Sequence, residues 1–207
     1  MKNLLIIGAG GHARPVIEIA LLNDYTIVGV VDLNFRGQDE SILGIDVIDG
    51  KDLISNFPPD EIALCFAIGD NNERKEKMTE FVHIGYTAYP TLIHPRAIVS
   101  DSSEIEDGAV ICAGAIINPM VKVGKGVIIN TGAIIDHESI IGDYAHLAPG
   151  SKLAGRVHIG ENTFVGIGTC IIDKIEVGKN VIIGAGSTII KNISSNKKVV
   201  GVSKLLD

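Results

Sequence analysis

The sequence predicts a chain of two domains, an α/β Rossmann-like domain over residues 1–88 followed by an all-β parallel β-helix over residues 89–207. In the first part, short aliphatic strands alternate with helical segments, and a glycine-rich turn follows the first strand. In the second part, every sixth residue from Ile93 to Ile189 is Ile, Val or Leu. Neither a helix nor an ordinary strand keeps a six-residue register over such a length, whereas a solenoid of short strands does.

The elements of the first domain follow from its aliphatic runs and from the residues that end them. Gly8 ends the first strand, Asp32 ends the second and Gly69 ends the third. Asp70 is placed to cap the second helix, because an Asp side chain accepts hydrogen bonds from the first backbone N–H groups of a helix. The predicted strands are 4–7, 25–31 and 62–68, and the predicted helices are 14–22 and 71–82.

The turn after the first strand is typical of a nucleotide-binding site. It reads Gly-x-Gly-x-x-Ala over residues 8–13, and Asp32 follows about 20 residues later, where a ribose-binding acid would lie. Glycine in such a turn lets backbone N–H groups approach a phosphate at a helix N-terminus. Because the domain is too short for a six-stranded dinucleotide fold, we favour a single nucleotide or nucleotide sugar over NAD. A domain that binds nothing is the remaining alternative.

In the second domain, the six-residue period predicts three flat faces, with three hexapeptides or about 18 residues to a coil. Four residues after each periodic aliphatic position comes Ala, Ser, Thr, Val or Ile. Residues 86–95, which contain Pro90 and Pro95, form the join between the domains. The alternative to a functional β-helix is a purely structural solenoid.

Composition excludes several classes of partner. The net charge is −7 and there is no basic cluster, which argues against nucleic acid as a partner. Cys65, Cys112 and Cys170 are far apart and lack CxxC spacing, which indicates free thiols in a reducing cytoplasm. Glycines from Gly8 onward interrupt the N-terminal aliphatic run too early for a signal peptide, and no segment is long and apolar enough to span a membrane. We therefore expect a cytoplasmic protein.

Of the six histidines, His137 has the context best suited to catalysis. It occupies the third position of its hexapeptide, so its side chain is expected to point away from the aliphatic interior. Asp136 and Glu138 flank it, and a neighbouring carboxylate fixes the tautomer of an imidazole and raises its basicity. The pattern predicts a general base, and an ordinary surface histidine beside surface acids is the alternative.

The coil length predicts where the site residues meet. At about 18 residues per coil, Gly155 lies directly over His137, whereas His146 is half a coil away on another face. One prism therefore cannot bring His137 and His146 together. Three parallel prisms packed about a threefold axis could do so, because each cleft would combine faces of two subunits. We therefore expect a homotrimer with three intersubunit sites.

Short motifs are spread along nearly the whole chain. They read Gly-Ala-Gly-Gly-His at 8–12, Ala-Ile-Gly-Asp-Asn at 67–71, Leu-Ile-His-Pro at 92–95, Asn-Thr-Gly-Ala at 130–133, Ile-Asp-His-Glu at 135–138, His-Leu-Ala-Pro-Gly at 146–150 and Gly-Ile-Gly at 166–168. In this order they resemble a bacterial hexapeptide-repeat sugar acetyltransferase family that joins a Rossmann-like domain to a left-handed β-helix. The family includes UDP- and dTDP-4-amino-sugar N-acetyltransferases and sialic acid O-acetyltransferases. The resemblance implies left-handed coils, acetyl-CoA as co-substrate and no metal.

The resemblance also implies roles for individual residues. His137 would be the general base, Glu138 or Asp136 would polarise it, and Asn130 would position the reacting groups. The backbone N–H of Gly155 would meet the oxyanion of the tetrahedral intermediate. The residues expected to line the acetyl-CoA cleft are His146, Gly155, Ile167, Gly184 and Ala185. The residues expected to hold the nucleotide sugar are Gly10, Gly11, His12, Asp32 and Gly69.

The expected reaction is direct acetyl transfer to the amine of a UDP- or dTDP-linked 4-amino-4,6-dideoxysugar, for surface polysaccharide biosynthesis. O-Acetylation of sialic acid is the alternative within the family. A γ-carbonic-anhydrase-like zinc enzyme, which would use the outward-facing His137, His146 and His158, and a non-catalytic nucleotide-binding scaffold are the alternatives from other classes. The C-terminal stretch Gly-Val-Ser-Lys at 201–204 departs from the Gly-Asn-Pro-Ala of similar proteins, which leaves a contact between the tail and the CoA adenine open.

Overall fold

A computed structural model describes residues 2–32 and 40–201 of the protein. The chain divides into two compact units, Met1–Pro95 and Arg96–Asp207. The division falls at the end of the join expected over residues 86–95. The part of the atypical tail from residue 202 onward lies outside the described residues. Among the helices of the described residues, none combines the length and the apolar character needed to cross a bilayer.

The described part of the first unit is built around a five-stranded sheet with the strand order β3-β4-β2-β1-β5. All neighbours are parallel except β3, which runs antiparallel to β4. The strands of this unit are β1 (Lys2–Ile7), β2 (Tyr25–Asp32), β3 (Ser41–Ile42), β4 (Ile45–Asp49), β5 (Ala63–Phe66) and β6 (Leu92–Ile93). Its helices are α1 (Ala13–Leu22), the short 3-10 helix Gly50–Asp52, α2 (Leu53–Asn56) and α3 (Asn71–His83).

The predicted strands and helices of this unit are present. Four consecutive residues of β1, Leu4 to Ile7, are fully buried, as expected for a central parallel strand covered on both faces. Asp70 caps α3 as predicted, because its Oδ1 accepts a hydrogen bond from the backbone N–H of Glu73 at 2.9 Å. The hairpin β3–β4 was not predicted from the sequence. β3 has two residues, and the five residues of β4, Ile-Asp-Val-Ile-Asp, lack the continuous aliphatic run by which the other strands were predicted.

The second unit is a parallel β-helix with three faces, and each of its strands has two residues. Partner residues in neighbouring coils are 18 positions apart up to Ile189, as Ile116 with Ile134 shows, whereas the last pairing, Ile182 with Lys198, spans 16 positions. The first face contains β7 (Ile98–Val99), β10 (Ile116–Ile117), β13 (Ile134–Ile135), β16 (Lys152–Leu153), β19 (Cys170–Ile171) and β22 (Thr188–Ile189). The second face contains β8 (Glu104–Ile105), β11 (Lys122–Val123), β14 (Ile140–Ile141), β17 (His158–Ile159) and β20 (Glu176–Val177). The third face contains β9 (Val110–Ile111), β12 (Ile128–Ile129), β15 (His146–Leu147), β18 (Phe164–Val165), β21 (Ile182–Ile183) and β23 (Lys198–Val199).

From β7 to β22 the second residue of each strand is the periodic aliphatic residue, and from β9 to β22 it is buried in the interior of the prism. Between the strands, the chain turns through a corner. The third residue after the aliphatic one has a positive φ at every corner from Gly108 to Gly186, so the left-handed conformation closes each turn. Glycine takes this position readily because it has no Cβ. The non-glycine residues that take it are Met120, Glu138, Tyr144, Arg156, Asn162, Lys174 and Asn180.

A glycine directly after the aliphatic residue has a different purpose, which is to let successive coils stack closely. A Cβ on Gly142 would lie 2.6 Å from the backbone nitrogen of Glu161, and a Cβ on Gly160 would lie 2.5 Å from the carbonyl carbon of Gly178. No side chain fits into that space. The fold is therefore the predicted one, a Rossmann-like domain followed by a left-handed parallel β-helix.

Candidate active site

His137 and Glu138 form a hydrogen-bonded pair at the corner between the first and second faces. We call this the dyad corner; it consists of the stacked turns 118–121, 136–139, 154–157 and 172–175. The Nδ1 of His137 lies 2.9 Å from the Oε2 of Glu138, and the two side chains are 43% and 45% exposed. Because an ionised carboxylate only accepts hydrogen bonds, Nδ1 carries the proton and Nε2 carries the lone pair. Within the described residues, Nε2 has no hydrogen-bond partner. This arrangement suits a general base.

Glu138 is held in a conformation that few side chains adopt. Its φ is 60°, and its backbone N–H donates a 3.0 Å hydrogen bond to the carbonyl oxygen of Pro119 in the preceding coil. The left-handed conformation costs a residue with a side chain about 1–2 kcal/mol. The coil-to-coil hydrogen bonds fix it here, so the carboxylate is presented to the imidazole from a rigid corner.

Asp136, the other acid that flanks His137, has a structural role. The Oδ1 of Asp136 accepts the backbone N–H of His137 at 2.8 Å and the amide of Asn118 at 2.9 Å. The hydrogen bond from the backbone of His137 is the main reason why the pKa of Asp136 lies below its usual value; partial burial opposes that change, and the Asn118 amide adds to it. Of the two candidate polarising acids, Glu138 is therefore the one bonded to the imidazole ring.

Gly155 lies one coil beyond His137, as predicted, and the imidazole packs against it. A Cβ at residue 155 would lie 2.6 Å from Cε1 and 2.7 Å from Nε2 of His137, closer than van der Waals contact permits. Glycine is therefore required for the observed ring position. The carbonyl oxygen of Gly155 accepts a hydrogen bond from the backbone of Lys174 at 3.0 Å, whereas its N–H has no partner among the described residues. The residue against which the imidazole packs therefore has a backbone donor that no described residue uses.

Asn130 and His146 form a second cluster, at the corner between the third and first faces. We call this the amide corner (columns of residues 112–115, 130–133, 148–151, 166–169 and 184–187). The Nδ2 of Asn130 lies 3.1 Å from the Nε2 of His146, and the Oδ1 of Asn130 accepts the backbone N–H of Thr131 at 2.8 Å. His146 is buried, and its ring meets that of Phe164 edge to face at 5.1 Å between centroids. Phe164 was not predicted as part of the site.

The predicted catalytic and cofactor residues thus fall into two groups. His137, Glu138 and Gly155 are at the dyad corner. Asn130, His146, Ile167, Gly184 and Ala185 are at the amide corner or on the strand beside it. Ile167 is 58% exposed there. The first face separates the two groups within one prism, so Asn130 does not contact the imidazole of His137.

A cavity of about 450 Å³ lies in the first unit at the carboxyl ends of β1, β2 and β5. All five residues predicted to hold a nucleotide sugar line it. The lining residues are Gly8, Ala9, Gly10, Gly11, His12, Asp32, Ala67, Ile68, Gly69 and Glu73. Sequence reasoning missed Glu73, although its place in the first turn of a helix that follows Gly-Asp was a signal. The cavity thus combines a glycine-rich turn at the N-terminus of α1 with two carboxylates.

The glycines of this cavity differ in what they do. Gly8 has a φ of 106°, and a Cβ there would lie 3.0 Å from Cγ1 of Ile68 and 3.1 Å from the carbonyl oxygen of Ala67. The fold therefore requires Gly8. At Gly10 and Gly11, a Cβ would meet nothing within 4 Å. Their lack of side chains leaves space at the start of α1, where backbone N–H groups and the helix dipole favour an anion.

The histidines of the zinc alternative are not gathered in one place. His137 is at the dyad corner, His146 is on the third face and His158 is on the second face. In the part of the chain that the structure describes, no three His, Cys, Asp or Glu side chains come together as a potential metal site. A second cavity, of about 740 Å³, is lined by His158, Glu176 and Lys179 but by none of the residues predicted for catalysis, acetyl-CoA or the nucleotide sugar.

Two family models match the chain. Residues 3–81 match the PglD N-terminal domain, and residues 156–191 match the bacterial transferase hexapeptide, in six repeats. A curated relative, the UDP-N-acetylbacillosamine N-acetyltransferase of Bacillus subtilis, is 39% identical over 119 residues. The match covers 55% of this chain and 52% of that protein, so the chain spans about half the length of this curated relative.

Two proteins of known structure are similar over nearly their whole length. One is a perosamine N-acetyltransferase variant from Caulobacter crescentus, with one histidine replaced by asparagine, in complex with CoA and GDP-perosamine. It is 32% identical with a TM-score of 0.90, over 97% of this chain and 94% of that one. The other is the acetyltransferase domain of PglB from Neisseria gonorrhoeae in complex with acetyl coenzyme A. It is 34% identical with a TM-score of 0.89, over 97% of this chain and 96% of that one.

Proposed function

Because the chain belongs to the family of bacterial hexapeptide-repeat sugar acetyltransferases, we propose that it acetylates a nucleotide-linked amino sugar with acetyl-CoA. The acceptor we propose is the amine of a UDP- or dTDP-linked 4-amino-4,6-dideoxysugar. The observation that carries the proposal is the pair of His137 and Glu138: the imidazole packs against Gly155, and neither its Nε2 nor the N–H of Gly155 has a hydrogen-bond partner among the described residues. A base and an oxyanion donor at one point are what acyl transfer from a thioester requires.

In the proposed reaction, the amine of the sugar attacks the carbonyl carbon of the thioester. The Nε2 of His137 takes the proton of the amine as the C–N bond forms, and Glu138 stabilises the imidazolium. The N–H of Gly155 donates to the oxyanion of the tetrahedral intermediate. The C–S bond then breaks, and the CoA thiolate receives the proton from His137. No covalent enzyme intermediate is formed, and no metal takes part.

The cavity of the first unit is the proposed site of the nucleotide. Its glycine-rich turn at the N-terminus of α1 suits the diphosphate, and Asp32 suits the hydroxyl groups of the ribose. This cavity favours N-acetylation of a nucleotide sugar over O-acetylation of free sialic acid, because a free sugar acid has no diphosphate to bind. A cytoplasmic location and a role in surface polysaccharide biosynthesis are part of the same proposal.

The acetyl-CoA cleft is proposed to lie between two subunits of a homotrimer. The dyad corner and the amide corner border the first face from opposite sides, so the amide corner of a second copy can complete the site. This packing places the first face of each copy towards the threefold axis. The outer surface of that face carries Ile98, Ile116 and Ile134, and Ile98 is 65% exposed in the single chain. Burial of these side chains would stabilise the assembly.

The experiment that tests the function measures acetyl-CoA consumption by the purified protein with a panel of nucleotide amino sugars and free sialic acids. We expect consumption with a nucleotide 4-amino sugar. His137→Ala should lower turnover by about 10²–10⁴-fold, the usual contribution of a general base, without loss of assembly. His158→Ala is the matched control, because His158 is an exposed histidine on the second face.

Three results would contradict the proposal. Wild-type rates in the His137→Ala variant would dismiss the general base. Acetylation of sialic acids alone would identify the O-acetyltransferase. Stoichiometric zinc in the purified protein, together with no use of acetyl-CoA, would favour the carbonic-anhydrase alternative.

A further inference from the structure

Arg156 contacts the same carboxylate oxygen that binds the catalytic imidazole. It lies one coil beyond Glu138 in the dyad corner, with a left-handed φ of 59°. Its Nε is 3.3 Å from the Oε2 of Glu138, the oxygen that lies 2.9 Å from the Nδ1 of His137. Its backbone N–H also donates to the carbonyl oxygen of His137 at 2.9 Å. Arg156 therefore contacts both members of the dyad, Glu138 through its side chain and His137 through its backbone.

We propose that Arg156 is a positioning residue of the acetyl transfer, which holds the Glu138 carboxylate against His137 and moderates its negative charge. The proposal rests on the proposed role of His137 as the general base. Neither the Gly155 backbone nor the imidazole needs a cation for its own hydrogen bonds, so Arg156 acts through Glu138.

Coil-to-coil ion pairs also occur where no catalysis is proposed. Lys179 lies 3.0 Å from Glu161, and Lys122 lies 3.3 Å from Glu104. Such exposed pairs contribute little to the stability of a protein. If the role of Arg156 were purely structural, replacing it would have the same effect on activity as replacing Lys179. The shared Oε2 distinguishes Arg156, because it links the cation to the base.

Among the residues that the structure describes, Arg156 is the cation that contacts the dyad. On the same corner, the Oδ1 of Asp136 is occupied by the backbone of His137 and by Asn118. In the coil beyond Arg156, the Nζ of Lys174 lies 3.7 Å from the carboxylate of Asp173. The residues that face the dyad from the preceding coil are uncharged: Asn118, Pro119 and Met120.

The consequence is a measurable change in the pH dependence of activity. The base must be neutral to accept a proton, and a positive charge beside Glu138 disfavours the imidazolium. Without that charge, the imidazolium becomes more stable, so the midpoint at which activity rises with pH moves upward. For half-exposed groups a few ångströms apart, we expect a change of about 0.3–0.5 pH unit. Looser positioning of Glu138 should also lower kcat by about 3–10-fold at high pH.

The experiment compares Arg156→Met, Arg156→Gln and Arg156→Lys with Lys179→Met as the matched control. The readouts are kcat/KM against pH, and an NMR titration of His137 labelled with 13C at Cε1, assigned by its loss in His137→Ala. Arg156→Met and Arg156→Gln should both raise the midpoint and lower kcat. Arg156→Lys should keep the midpoint, because it keeps the charge, but lose part of kcat, because it lacks the planar fork. Lys179→Met should change neither.

The proposal is overturned if the Arg156→Met and Arg156→Gln variants keep the wild-type midpoint in the NMR titration. It is also overturned if their kcat equals that of Lys179→Met. Arg156→Gln keeps a polar side chain at the corner, so the comparison stands even if Arg156→Met does not fold. The titration does not depend on turnover, so a failed acetyltransferase assignment would appear separately, as full activity of His137→Ala or none of the wild type.

Discussion

At the scale of single residues, the position of the imidazole that we propose as the base depends on the lack of a side chain at Gly155. His137 extends outward from its corner and then lies against the backbone of Gly155 in the next coil. Gly155 also carries the N–H that we propose as the oxyanion donor. The proposed base and the proposed donor therefore belong to residues one coil apart, which the backbone hydrogen bonds between coils hold in register.

Gly155→Ala should lower kcat by about 10²-fold, because the added methyl displaces the ring by a large fraction of an ångström. Thermal unfolding should change little, since the imidazole is half exposed and can swing towards solvent. In the His137→Ala background the methyl has room, so the double variant should be no slower than His137→Ala alone. Wild-type kcat in the Gly155→Ala enzyme would show that the ring position has no bearing on catalysis.

At the scale of the corner, glycine is favoured at two positions, and the physical reason differs between them. Gly132 has a φ of 67°, but a Cβ there would meet nothing within 4 Å. Gly142 has an ordinary φ, but a Cβ there would lie 2.6 Å from the backbone nitrogen of Glu161. The first position tolerates a side chain at a conformational cost, as Arg156 and Glu138 show. The second position does not tolerate one.

Gly142→Ala should therefore lower the free energy of unfolding more than Gly132→Ala. We expect a loss of about 3 kcal/mol from the clash at residue 142 and about 1 kcal/mol from the strained φ at residue 132. Chemical denaturation of the two variants at one protein concentration gives the comparison. Equal losses would mean that the coils separate easily and that close stacking is not what the glycine provides.

The turn between β1 and α1 gives a test of the nucleotide site that does not involve the β-helix. Gly10→Val should leave the melting temperature unchanged, because a Cβ at residue 10 meets no atom of the protein within 4 Å. The side chain would instead take space needed by the diphosphate, so KM for the nucleotide sugar should rise about tenfold or more, or about 1.4 kcal/mol. KM for acetyl-CoA is the internal control and should not change. An unchanged KM for the nucleotide sugar would place the substrate elsewhere.

The elements that the sequence predicted well are those with a repeated signal. The aliphatic period from Ile93 to Ile189 places every strand of the β-helix up to Ile189, and it puts Gly155 over His137. Contacts that depend on a rotamer or on the direction of a corner could not be predicted in this way. Glu138, rather than Asp136, contacts the imidazole, and Arg156 approaches Glu138; both residues have the left-handed φ of the corner. Many residue types adopt this φ at the corners of the β-helix, so the sequence does not indicate these contacts.

At the scale of the whole molecule, the site is divided between two edges of one prism. The 18-residue coil predicts this division, because His137 falls at the corner between the first and second faces and His146 falls on the third face, whatever their rotamers are. The period does not indicate which face meets a second copy. The exposed apolar residues of the first face, together with the corners on either side of it, suggest that the first face does.

The most direct test of this account is complementation between two inactive variants. His137→Ala removes the base at the dyad corner, and Ile167→Asp with Ala185→Trp obstructs the exposed amide corner; each variant alone should be inactive. If each cleft combines corners of two subunits, random co-assembly of coexpressed variants leaves about one quarter of the clefts complete. We predict about one quarter of wild-type activity in the mixed trimer. A mixture as inactive as its parents, or a protein that is monomeric in solution, would contradict the account.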